Sequence, residues 1–286
     1  MSKSNMLLGL AKGKVGDLVF YRDGGEQRTR TRVIPKNPRT EAQMTQRVKL
    51  ANVMPIFRAF APWLRESFSS RRSNQSGFNA FSAAAIAISP YLTKEMATAG
   101  VGIPMPCMLS KGVLQQLPFQ EVQVDGENTY GLRYTAEVTE STTVGQLSAA
   151  LIQQYPLLAN GDRLNFLYAQ FVAVQDADAG VDRYDIINRS TSLVIDVTST
   201  ELLSDAGVEV VENYLFASQH TSLSASQITM YAVFTSRVDA DGKLLTSTSY
   251  ASLSDAAQSL YDGYRTETSR VDAIQSYNAS ESQTLR

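Results

Sequence analysis

The hydrophobic period changes midway along this chain, and that change limits the folds open to it. Between residues 40 and 90 apolar side chains recur at three- and four-residue steps: Met44, Val48 and Ala51, then Phe57, Phe60, Ala61, Leu64 and Phe68, then Phe78, Phe81, Ala84, Ala85 and Ile88. This is the spacing of one buried helix face. Beyond residue 118 apolar residues alternate, or run together briefly, between turn signals. Strands are expected at Phe119–Val124, 130–138, Arg163–Val174, 184–187, 192–197, 208–216 and 227–236. The last opens a hairpin through Asp239-Ala240-Asp241-Gly242, with a return strand over 243–250. One amphipathic helix, 143–155, interrupts the strands, and a short one follows at 253–261. Helices followed by many short strands predict an α+β fold: a basic N-terminal hairpin arm and helices, then a mostly antiparallel β-sandwich-like domain.

Punctuation sets the expected divisions. Thr40 and Gln43 have the spacing of a capping box, so a helix should begin there. Pro55 implies a kink or a break between two helices. Pro62 and the sole tryptophan, Trp63, fall in the second segment, where the helical period reads them as core. Residues 69–77 form a polar linker, and Pro90 stops the third helix. The sequence over 91–118 is rich in proline and glycine but too apolar to float freely, so it reads as a connector packed on something, with a domain boundary near residue 115. The expected parts are a basic arm with a short hairpin (1–39), a helical segment (40–90), the connector (91–118), a β-rich domain (119–262) and a polar tail that orders against a partner (263–286).

Residues 13–47 are the most distinctive stretch. A strand over 15–21 and an Asp23-Gly24-Gly25 turn lead to a second extended run, 26–34, with Arg28, Arg30 and Arg32 at alternate positions. Alternate residues of a strand share a face, so the three arginines should line one side of a hairpin and Thr29, Thr31 and Val33 the other. Pro35 and Pro38 then force an extended elbow. The overall formal charge of −2 conceals an asymmetry. Residues 1–75 hold 15 Lys/Arg against 5 Asp/Glu, and the remainder holds 11 against 23. A front end of this kind suits an acidic partner: nucleic acid, an anionic protein, or the acidic body of a neighbouring copy. The candidate binding residues are Lys12, Lys14, Arg22, Arg28, Arg30, Arg32, Lys36, Arg39 and Arg47; Lys49, Arg58, Arg65, Arg71 and Arg72 extend the cationic stretch.

No catalytic constellation accompanies them. Cys107 is alone, which excludes an intrachain disulfide and a cysteine-built zinc site. His220, the only histidine, lies in a Ser/Thr-rich run without a second imidazole, and no G-x-S-x-G elbow is present. Asp176, Asp178 and Asp182 resemble the start of a calcium loop, but Gly180 is fifth rather than sixth and Ile187 stands where a glutamate belongs. An acidic turn, with a weak calcium site as the alternative, is the reading. Gly13 to Gly16 has neither P-loop nor Rossmann spacing, so no nucleotide motif is supported. No cofactor, metal or enzymatic activity is expected. The apolar patch Met6-Leu7-Leu8 is too short for a secretory signal, and no run approaches the ~18–20 residues that span a bilayer, so no membrane partner is expected.

The combination GKVGDLVFYR, GEQRTRTR and NPRTEAQMTQR resembles the opening of an uncharacterised family of Bacteroidota and their tailed, crAss-like phages. In that family a K-V-G turn, an aromatic strand, an arginine stretch and an N-P-x-T-x-x-Q helix start occur in this order. YAVFTSRVDADGKLLTSTSY, residues 231–250, is similar to the family's closing hairpin. The resemblance implies a non-enzymatic phage virion or structural protein, capsid-, portal- or tail-associated, made in the host cytoplasm. Its implied partners are other virion proteins, copies of itself and packaged DNA. A nucleic-acid-binding protein of phage replication or genome packaging is the alternative.

Overall fold

In the computed structural model, residues 13–23, 26–33, 39–124, 127–174, 183–211, 213–217 and 227–279 are described. The chain divides into two units, Met1–Thr40 and Glu41–Arg286.

The first unit holds a three-stranded antiparallel sheet, β1 (Gly13–Val15), β2 (Leu18–Asp23) and β3 (Glu26–Thr31), in that order. A two-stranded hairpin was the expectation. The segment 15–21 is instead folded back on itself at Gly16-Asp17, with Val15 opposite Leu18. Gly16 has φ +57°, the left-handed backbone that two-residue hairpin turns require and glycine supplies without a Cβ clash.

The second unit begins with α1 (Glu41–Ala59), which starts directly after Thr40. It runs through Pro55 instead of breaking there. The proline removes one helical hydrogen bond, but Asn52, Val53 and Ile56 around it are buried, and that burial holds the helix on course. The break falls five residues later, at Phe60. There Pro62 occupies the first turn of α2 (Ala61–Leu64), where its missing N–H costs nothing. Ser76 caps α3 (Gly77–Ala85), and Thr93 caps α4 (Lys94–Ala99), whose end is Gly100 in left-handed backbone. The connector is thus partly helical, and residues 101–105 are buried.

Strand β4 (Met108–Ser110) leads to β5 (Phe119–Val124) and β6 (Glu127–Arg133). β6 starts and ends earlier than the expected 130–138. Helix α5 (Val144–Gln154) is closed by a capping box between Thr143 and Gln146. Strand β7 (Arg163–Val174) pairs along its whole length with β8 (Arg183–Val194), which fuses two expected strands into one. The expected strand 208–216 is conversely two, β9 (Val208–Val211) and β10 (Tyr214–Ala217), turned at Asn213 with φ 69°. Strand β11 (Thr229–Val238) is followed by β12 (Leu244–Thr246), β13 (Ser249–Tyr250) and β14 (Ser252–Leu253). The return strand of the final hairpin therefore divides: β12 and β14 pair with β11, and β13 pairs with β4.

Two antiparallel sheets result, β5-β6-β10-β9 and β12-β11-β7-β8. One apolar cluster joins Leu132, Leu215 and Val208 of the first to Leu164, Phe166 and Val233 of the second, with Leu147 and Leu151 of α5. The arrangement is α+β and sandwich-like. On its other face the larger sheet offers Leu167, Ala169, Met230, Ala232 and Phe234 to Ile56, Phe60, Leu64, Phe81 and Met105. Both faces of β7 and β11 are covered, which is why these strands read as nearly continuous apolar runs. The expected boundary near residue 115 does not separate two cores, because helices, connector and sheet share this one.

Helix α6 (Asp255–Gly263) is followed by α7 (Glu267–Ala279), within the stretch expected to be a polar tail. Ala273 is buried, and Arg270 bridges Glu267 of its own helix and Glu41 of α1, at 2.5 and 2.6 Å. Composition concealed this helix because only a narrow strip of it meets α1 and α4.

Candidate docking interface

The cationic candidates are positioned by the strand register of the first unit. Lys14 lies opposite Val19, Val19 opposite Arg30, and Tyr21 opposite Arg28. Directly opposed residues project from the same side of an antiparallel pair. Lys14, Val19, Tyr21, Arg28 and Arg30 therefore share one face, with Asp23 and Glu26 at its end. Arg22, opposite Gln27, belongs to the other face, with Leu18 and the buried Phe20.

Local contacts fix the arginines. The Arg30 guanidinium stands 5.7 Å from the centre of the Tyr21 ring, a cation–π arrangement. Arg28 is 4.0 Å from Glu26 across an exposed pair. Arg32 was expected to continue the row, but β3 ends at Thr31. The Arg32 amide donates to the Asp17 carbonyl at 2.6 Å, so the residue closes the sheet at the β1–β2 turn. Val15 and Val33 are 67% and 75% exposed, which leaves uncovered apolar surface on a small cationic sheet.

Arg39, next to the end of the unit, has left-handed backbone, φ 50°. Arg47 belongs to α1 of the second unit: it is exposed, donates to the Met44 sulfur at 3.9 Å, and stands close enough to Tyr277 of α7 to oppose the upward pull of burial on that phenol. Lys12 and Lys36 lie outside the described residues, as do the Gly24-Gly25 turn, the Pro35–Pro38 elbow, Asp176 to Asp182 and His220. Of the further cations, Lys49 donates to the Ala87 carbonyl at 3.3 Å and lies over Tyr91. Burial, and then the neighbouring Arg265, lower its pKa. It belongs to the packing of the second unit.

Among the described residues, no group of three or more His, Cys, Asp or Glu is placed to hold a metal ion. Cys107 is fully buried, and burial pushes its thiol up to about 12, the opposite of what a nucleophilic thiolate needs. Among the described residues, no helix is long and apolar enough to cross a membrane. Sequence reasoning missed a second cationic group: Arg71 and Arg72 of the linker meet Lys243 of the final hairpin around one cavity. Only the paired hairpin turn at 239–242 signalled that Lys243 would be presented on a loop.

Compared with protein-family models, with curated proteins and with solved structures, the chain finds no match.

Proposed function

We propose that this chain is a non-enzymatic assembly protein of a phage particle, docking through its first unit onto an acidic face of a capsid, portal or tail neighbour or of another copy. The observation that carries the reading is the separation of Met1–Thr40 as its own unit, with Lys14, Arg28 and Arg30 on one sheet face and Val15 and Val33 uncovered. Cations on one face of a small sheet whose opposite face carries the exposed Val15 make a docking element: charge steers the encounter, and apolar burial holds the complex. The resemblance of the 13–47 stretch to the crAss-like phage family supports the particle context, with synthesis in the host cytoplasm. Mass spectrometry of purified particles tests it. The chain should be present in a fixed ratio to the major structural proteins, and its absence from particles would overturn the reading.

A second reading, nucleic-acid binding in replication or packaging, is favoured by Tyr21 sharing the cationic face. Three phosphate contacts, from Lys14, Arg28 and Arg30, predict that DNA affinity falls by about 40-fold between 50 and 200 mM salt. Fluorescence anisotropy of the full chain beside a chain starting at Thr40 separates the readings. Salt-dependent binding that disappears on truncation supports this second one.

A further inference from the structure

Two cavities adjoin on the second unit, sharing Glu66 and Leu244 in their walls. The first, of about 290 Å³, lies at the helix-facing end of the larger sheet, between α2 and strands β7 and β11. Its apolar wall is Trp63 and Phe234, rings 6.3 Å apart at 75°. Its polar wall is a buried relay in which the Asn165 amide donates to the Ser236 hydroxyl at 2.9 Å and accepts from Ser192 at 2.8 Å. Arg163 borders it as well, and Arg237 is already engaged by Asp162 at 2.6 and 2.7 Å. The second cavity, of about 540 Å³, is lined by Arg71, Arg72, Lys243 and Ser73. Glu66 and Leu244 border both.

The chemistry differs between the two. Trp63, packed edge-to-face on the buried Phe234, offers a partly exposed aromatic wall, and Ser236 has a hydroxyl proton to donate to a heteroatom of a ring edge. Among the described residues, Arg72 and Lys243 have no ion-pair partner, and the guanidinium of Arg71 donates to the Phe68 carbonyl at 3.1 Å. Three cations lining one concavity against a single carboxylate, Glu66 at its border, suit a multiply charged anion, and arginine forks match phosphate oxygens. Glu66, which borders both cavities, has a carboxylate that can accept hydrogen bonds from hydroxyl or amino groups, as an acidic residue does from ribose hydroxyls in dinucleotide sites.

We propose that the two cavities form one site for a nucleoside monophosphate, with the base against Trp63, the ribose hydroxyls on Glu66 and the phosphate among Arg71, Arg72 and Lys243. The site uses none of the glycine-rich loops whose absence is evident in the sequence, and it is independent of docking by the first unit.

Trp63 is the only tryptophan, so emission excited at the red edge of the absorption band, beyond the 13 tyrosines, reports this wall alone. The full-length chain is titrated with the common nucleoside 5′-monophosphates, the matching nucleosides and inorganic phosphate. At least one monophosphate should change the Trp63 emission saturably, and removing its phosphate should weaken binding roughly tenfold or more. Arg72→Glu with Lys243→Glu should weaken it at least as much, with the circular dichroism unchanged, because both side chains are exposed. Lys243→Ala alone gives a milder check. The proposal is overturned if no monophosphate alters the emission at millimolar concentration. It is equally overturned if inorganic phosphate binds as tightly as the nucleotide, or if the charge-reversed protein binds unchanged.

Discussion

Asn52 joins α1 to the buried 101–105 segment, and its replacement tests how the connector is held. The side chain is wholly buried and pairs both polar groups of one residue: Nδ2 donates to the Ile103 carbonyl at 3.0 Å, and the Ile103 amide donates to Oδ1 at 2.7 Å. Ile103 is also fully buried and belongs to no strand, so this amide takes the place of a neighbouring strand. Asn52→Leu keeps the branched shape and removes both bonds. Each backbone group left unsatisfied costs about 1–3 kcal/mol. The leucine methyls recover about 1 kcal/mol through apolar burial. The expected net loss is about 1–5 kcal/mol, centred on about 3 kcal/mol. With a urea dependence of about 3 kcal/mol per molar, the midpoint should fall by about 1 M. Asn52→Asp, which keeps the acceptor and loses the donor, should also destabilise. A midpoint for Asn52→Leu within about 0.2 M of the parent would refute the reasoning, because the Ile103 groups would then have found other partners at no cost.

Two further outcomes follow from burial and close packing. Cys107 and the phenols of Tyr134, Tyr155, Tyr261 and Tyr277 all have raised pKa values, chiefly through burial. The folded state holds these protons longer than the unfolded chain, whose thiol ionises near 9.0 and whose phenols ionise near 10.0. Stability should therefore be intact below pH 9.0 and fall as pH rises toward the buried thiol's value of about 12. Urea midpoints across that range measure this, and rapid reaction of native Cys107 with a thiol reagent at neutral pH would contradict it. At Gly77, an added Cβ would stand 2.6 Å from the Leu64 carbonyl and 2.7 Å from Arg65 Cα, both backbone atoms. Gly77→Ala should cost about 2 kcal/mol and lower the melting temperature by about 4–8 °C. An unchanged melt would mean that α3 starts farther from residues 64–65.

Much of the local structure was legible. Strands β5 and β7 lie where alternation and turn residues put them, and the 239–242 turn and the start of α1 at Thr40 are equally plain, because short-range chemistry decides them. Pro55 misled because a proline's local cost was weighed without the burial of its neighbours. The 263–286 stretch misled because a helix touching its partners along one strip looks polar overall. In the candidate interface, alternation put Arg28 and Arg30 on one face, but nothing local showed that Gly16 would turn the chain and bring Lys14 onto that face as well.

The sequence alone determined the α+β class, the concentration of positive charge ahead of residue 75 and the lack of a recognisable catalytic motif, since each depends on residue type and spacing over a few turns of chain. Tertiary structure decided the rest. It covered β7 and β11 on both sides, merged the expected segments around one larger sheet, and brought Arg71 and Arg72 beside Lys243, with Trp63 and Asn165 in the adjoining cavity. Those neighbours are far apart along the chain, and their meeting depends on strand register and helix packing, which no local pattern encodes.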